Sequence, residues 1–178
     1  MALIEQIDKE KLPKHIAITM DGNGRWAQQK GKFRVFGHQN GVKAVRKTVE
    51  CAAEIGIQYL TLYAFSTENW GRSKKEVNAL MTLLISTINK ETKTLMDNDI
   101  RLHAIGDLEQ LPKKCKEELK DAIEETRNNK RMTLILAISY SGRWEIINAI
   151  RNIVKDVKAK ELESELTEVI FRQYLSTK

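Results

Sequence analysis

Four short runs rich in β-branched and apolar residues constrain this chain most: HIAITM (15–20), YLTLYAF (59–65), RLHAIG (101–106) and MTLILAIS (132–139). Between them, apolar residues recur at helical spacing, and such alternation predicts parallel β-α-β units with right-handed crossovers. The expected fold class is α/β, a mostly parallel central sheet flanked by helices. Residues 1–14 read as a charged lead-in, a short surface helix, with Pro13 marking entry to the first strand, and 15–178 as a single domain. HIAITM is expected as a buried strand. A helix over roughly 38–55 carries Val42, Val45, Val49, Ala52 and Ala53 on one face and stops at Gly56. Ser73 with Glu76 three residues on forms a capping box for a long helix reaching about Met96. Further helices are expected at 113–127 and 142–158, the latter with Ile146, Ile147, Ile150, Ile153, Val154 and Val157, and a last helical segment carries Leu166, Ile170 and Tyr174.

In an open parallel sheet, ligands bind beyond the carboxyl ends of the strands. Here the first strand runs into Asp21, Gly22, Asn23, Gly24, Arg25 and Trp26, and the second into Ser66, Thr67, Glu68, Asn69, Trp70 and Arg72. The two tails emerge on the same edge. The glycines let backbone approach a ligand, a helix starting after Gly24 directs N–H groups at an anion, and Asp21 beside such an anion makes sense with a divalent cation between them. Taken alone, D-G-N-G is equally a strand, an Asx turn and a helix cap. Residues 25–32 read as a helical turn or mobile loop, and Arg34 and His38 precede the next helix. Guanidinium donors match phosphate oxygens bidentately, so Arg25, Arg34 and Arg72 suit a diphosphate. Each arginine singly is also an ordinary surface residue, His38 a possible helix cap, and the two tryptophans ordinary core or rim residues; the cluster carries the argument.

Several classes are excluded. The G-x-G lacks the third glycine of a dinucleotide fingerprint, and there is no phosphate-binding G-x-x-x-x-G-K-[ST] loop. Ser66 has no triad partners, and His15, His38 and His103 form no metal pair. Cys51 and Cys115 are too far apart for a zinc site and read as small buried hydrophobes. The net charge of +6 favours anionic partners, yet the lysines are scattered and aromatics make up only 6%, which argues against nucleic acid. No run is long enough to span a membrane, and the first 14 residues are charged where a signal peptide needs apolar residues, so a cytoplasmic location is expected. The broad apolar stripe at Val77, Leu80, Met81, Leu84, Ile88 and Leu95, widened by Leu83 and Ile85, reads as sheet contact or as the wall of an apolar channel.

The stretches H-I-A-I-x-M-D-G-N-G-R-W, G-H-x-x-G, Y-L-T-L-Y-A-F-S-T-E-N-W-x-R, R-L-x-x-I-G-D and S-Y-S-G-R-W-E-I together resemble the cis-prenyltransferase family from about residue 13 onward. The resemblance implies transfer of isopentenyl units from isopentenyl diphosphate to an allylic diphosphate such as farnesyl diphosphate. The product is a long cis-polyprenyl diphosphate, of the kind that precedes the undecaprenyl carrier of cell-wall synthesis. It implies magnesium as cofactor, a homodimer, and peripheral membrane association through the product. By position, Asp21 matches the family's metal-binding aspartate, and Gly22, Asn23, Gly24 and Arg25 its diphosphate cradle. Arg34 and His38 match further headgroup contacts, Trp26 and Trp70 substrate-side aromatics, and Ser66, Thr67 and Glu68 the second loop, with Arg72 nearby. Asn69 matches the residue assigned to proton removal. An amide is a poor base, so Asn69 is read as an orienting group and the proton acceptor stays open, the diphosphate itself being a candidate. Family members continue past FRQYLSTK into a final core strand and an Arg-Thr-Ser-Gly-Glu motif that holds isopentenyl diphosphate. No counterpart is present in this sequence, so a shortened, non-catalytic binding or accessory subunit is the alternative expectation.

Overall fold

The structure, a computed structural model, describes residues 3–159 and 165–177. Strands β1 (His15–Thr19), β2 (Tyr59–Ser66), β3 (Ile100–Ile105) and β4 (Met132–Tyr140) are all parallel, in the order β1-β2-β4-β3. The helices are α1 (Asn23–Gln29), α2 (Arg34–Ile55), α3 (Lys74–Asp97), α4 (Lys113–Thr126), α5 (Gly142–Lys158) and α6 (Glu168–Arg172).

Register explains how the helices attach. Ile16, Leu60, Leu134 and Leu102 lie side by side, as do Ile18, Leu62, Leu136 and Ala104, so alternation puts two apolar rows on one sheet face. These rows share one core with Val49 and Ala52 of α2, Met81 and Ile88 of α3, and Cys115 and Leu119 of α4. On the opposite face His15, Tyr59, Thr133 and Arg101 form a polar and aromatic row, His15 Nε2 lies 2.7 Å from Thr61 Oγ1, and Ile105, Ile135 and Ala137 form a small second apolar cluster.

Several expectations are corrected. Among the described residues β1 is an edge strand rather than a buried one, because only β2 flanks it; His15, Ala17 and Thr19 are exposed. Residues ahead of it form two 3-10 turns, Leu3–Gln6 and Lys9–Lys11, instead of a short surface helix, and Leu12 then packs on the core. α1 starts at Asn23, not after Gly24, and of the two readings of 25–32 the helical one holds over 25–29. Gly22 adopts φ +91° as its cap, a left-handed geometry that favours glycine, and the Trp26 N–H donates to its carbonyl at 2.8 Å. α2 begins at Arg34, so Arg34 and His38 lie within its first two turns rather than before it. Cys51 is exposed; only Cys115 is buried, and burial pushes its thiol pKa up. α5 matches its expected span, but of its apolar residues only Ala149 and Ile153 are buried. Ile146, Ile147, Ile150, Val154 and Val157 are each about half exposed, because none of the described residues covers that stripe. In the last segment only Glu168–Arg172 is helical, leaving Leu166 and Tyr174 outside it, and the Tyr174 hydroxyl donates to Asp156 at 2.8 Å.

α2 and α3 both start at the carboxyl edge of the sheet and run the same way, as crossover helices must. They stand apart, joined at the start by Arg34 and His38 facing Glu76 and further along by an Arg46–Glu91 ion pair. The space between them and the sheet is a cavity.

Candidate active site

This cavity, about 410 Å³, begins at the strand ends with Asp21, Asn23, His38, Ser66, Asn69 and Arg72. It then runs between Val42, Val45 and Val49 of α2 and Leu80, Met81, Leu83, Leu84 and Ile88 of α3, over Leu62 and Leu134 of the sheet, to Leu95 and Ile100. A charged mouth therefore opens on an apolar shaft, and the α3 stripe lines its wall while also touching the core.

The first strand's tail is shaped locally. Gly22 N–H donates to Asp21 Oδ1 at 2.5 Å and Arg25 Nη2 to Oδ2 at 2.8 Å. The backbone N–H first, then the Arg25 charge, hold the Asp21 carboxyl below the usual carboxylate range. α2 packs tightly on the start of α1 through two glycines one turn apart. A Cβ at Gly37 would lie 1.9 Å from the Asn23 carbonyl oxygen, and one at Gly41 would lie 2.8 Å from the Asn23 amide nitrogen. The G-H-x-x-G spacing thus brings Asn23 and His38 to one place. The Arg34 guanidinium lies over Gly24, 2.9 Å from where a Cβ would stand.

The second tail is a 3-10 turn, Thr67–Gly71, closed by a reciprocal capping box in which Ser66 N–H donates to Asn69 Oδ1 at 3.2 Å. That bond occupies the amide oxygen of Asn69 and leaves its NH₂ to donate. Two hydroxyls at the end of β4 brace the turn: Trp70 Nε1 donates to Ser139 Oγ at 2.9 Å and Thr67 Oγ1 to Ser141 Oγ at 2.9 Å. Ser139 is fully buried at φ +52°, an uncommon conformation for a residue with a side chain.

The sequence marks Glu76 only as a capping-box partner. Its N–H does donate to Ser73 Oγ at 3.3 Å, but its carboxylate turns to the mouth instead of completing the box. Glu76 Oε1 accepts from Arg72 Nη1 at 2.9 Å and Arg34 Nε at 3.4 Å, and lies 3.9 Å from His38 Nε2. His38 Nε2 is buried without a hydrogen-bond partner among the described residues. Burial, then the Arg72 charge, push the His38 pKa down; Glu76 opposes them. The sequence signal for Glu76 was its place four residues after Arg72, one helical turn. Ser139 and Ser141 had none beyond their motif.

The remaining candidates stand apart from the cavity wall. Trp26 stacks on Phe36, with ring centroids 6.1 Å apart and planes 4° apart. Trp70 meets Phe65 edge-on at 5.0 Å as part of the core. Thr67 is engaged by Ser141, and Glu68 is exposed with its carboxyl held low by its own backbone N–H and the Ser66 hydroxyl. Among the described residues no group of three or more His, Cys, Asp or Glu is placed to hold a metal ion. Asp21 is a single ionised carboxylate at the mouth, which fits a cation that takes one protein carboxylate and completes its shell with substrate phosphates and water.

Fold and site define a class: a parallel α/β protein whose charged mouth, at the strand ends, opens on an apolar shaft between sheet and helices. A family model described as "Putative undecaprenyl diphosphate synthase" matches residues 19–178, and the chain belongs to that prenyltransferase family. It is 50% identical over 167 residues to an isoprenyl transferase of Chlorobaculum tepidum, covering 93% of this chain and 63% of that protein. It is 47% identical over 174 residues to the ditrans,polycis-undecaprenyl-diphosphate synthase ((2E,6E)-farnesyl-diphosphate specific) of Pasteurella multocida, covering 97% and 72%. The structure of lavandulyl diphosphate synthase from Lavandula x intermedia, in complex with dimethylallyl diphosphate, superposes with a TM-score of 0.88 at 36% identity over 92% of this chain and 70% of that one. The chain therefore spans about two thirds of the length of the relatives it matches, and less than that of the first.

Proposed function

We propose that this chain carries the allylic-diphosphate site of a cis-prenyltransferase, lengthening farnesyl diphosphate with isopentenyl diphosphate into a long cis-polyprenyl diphosphate. The observation that carries this reading is the continuity of a charged mouth with an apolar shaft. A single amphiphile with a diphosphate head and a hydrocarbon tail matches both parts at once. The farnesyl specificity in the name of the Pasteurella relative and the dimethylallyl diphosphate bound by the Lavandula structure support the same ligand class.

In the reaction, the allylic C–O bond breaks and diphosphate departs. The double bond of isopentenyl diphosphate attacks the allylic carbon, and loss of a proton restores a double bond. Arg34, Arg72 and the N–H groups of Asn23 and Gly24 stabilise the departing charge. Asn69 orients a substrate through its NH₂. Leu80, Leu84 and Ile88 keep water from the cationic allylic fragment and take up the growing tail. Asp21 with diphosphate oxygens would hold magnesium, which neutralises leaving-group charge. A homodimer is supported by the uncovered apolar stripe of α5. The test is incorporation of labelled isopentenyl diphosphate by the purified protein with farnesyl diphosphate and magnesium. Asp21→Ala should reduce turnover by about 10²–10³, as expected on losing one stabiliser of leaving-group charge. Turnover indifferent to Asp21 would contradict the assignment.

A further inference from the structure

Nothing in that reaction requires a carboxylate between the headgroup arginines, yet Glu76 stands there. Its carboxylate is 17% exposed, and one oxygen serves both guanidiniums. Arg34 comes from the start of α2 and Arg72 from the loop ahead of α3, so no backbone element holds them together. Two like charges at a solvent-facing mouth repel, and long arginine side chains 29% and 40% exposed have rotamer freedom to separate. We propose that Glu76 is the positioning residue of the diphosphate site: an internal anion that keeps Arg34 and Arg72 converged before any ligand arrives. The proposal rests on the reading of the mouth as a diphosphate site.

The geometry makes Glu76 a holder rather than a competitor. It takes only Nε of Arg34 and only Nη1 of Arg72, while each guanidinium has five N–H donors. Both arginines therefore keep most of their donors for a phosphate. Its single negative charge offsets part of the attraction for a diphosphate, but two guanidiniums against one carboxylate leave the cluster net positive, and the pre-set side-chain geometry lowers the ordering cost of binding. Glu76 itself is set by its own backbone, since the Ser73 cap fixes the first turn of α3 from which it projects.

Binding of inorganic diphosphate in the presence of magnesium, measured by calorimetry on the whole protein at fixed ionic strength, tests this. Glu76→Ala should weaken binding at least about tenfold, and the same substitution should cost less than about twofold in an Arg34→Ala, Arg72→Ala background, a coupling of ordinary size for directly bonded residues. Glu76→Gln, which keeps an acceptor oxygen in place, should recover part of the loss and keeps the test decisive should the alanine variant not fold. Unchanged or tighter binding in both Glu76 variants, or an equal loss in both backgrounds, would overturn the assignment. A parent protein that binds no diphosphate would instead overturn the proposed function and this inference with it.

Discussion

His38 is the residue whose surroundings are most directly measurable. Its Nε2 is buried without a hydrogen-bond partner among the described residues, and the charged groups facing it are Arg34 from its own helix and Arg72 and Glu76 from across the mouth. An NMR titration should therefore find it below the ordinary histidine value of about 6.5. Glu76→Gln should lower it further by removing the one contribution that raises it, and Arg72→Ala should raise it. A His38 that titrates normally in all three proteins would show that the cluster does not form in solution. The linkage has a definite sign. The depressed folded-state pKa gives stability that is present above the unfolded histidine value and is lost as pH falls through the folded one.

Between elements, the crossing of α1 and α2 fixes the headgroup site. Gly37→Ala would drive a methyl into the Asn23 carbonyl, a backbone atom that cannot turn aside, so denaturant unfolding should show a loss of about 1–3 kcal/mol. Gly41→Ala meets only the end of the Asn23 side chain, which can swing, so it should cost less stability while disturbing ligand binding. Equal stability of both variants with the parent would mean the two helices do not pack this closely. α3 carries the matching statement about the shaft. Leu84→Trp fills part of the cavity and should shorten the polyprenyl product seen by mass spectrometry; unchanged length would remove α3 from the tunnel wall. Elements whose cues are local were legible in the sequence. Gly56 ends α2 in a left-handed cap and Ser73 starts α3, both as their residue types require. What depended on distant neighbours was not. The edge position of β1 follows from strand order, the diversion of Glu76 follows in part from Arg34, 42 positions away, and the exposure of the α5 stripe follows from what packs on it.

Across the whole molecule, the sheet and the pair α2 and α3 enclose one crevice with its charged end at the carboxyl edge of the strands. The sequence showed both halves of this arrangement, charged tails after two strands and a broad apolar helix stripe, because each is a local pattern. It did not show that they share one cavity, since the same stripe also packs into the core through Val77, Met81 and Ile88. The central claim is that a diphosphate headgroup and a prenyl tail occupy the two ends of that cavity together. The direct measurement is an NMR titration of the isotopically labelled protein with farnesyl diphosphate and magnesium. The account predicts amide shifts at Asn23, Gly24, His38 and Arg72 and, at the same ligand concentrations, methyl shifts at Leu80, Leu84 and Ile88. Headgroup shifts without the methyl shifts, or shifts confined to other surfaces, would contradict it.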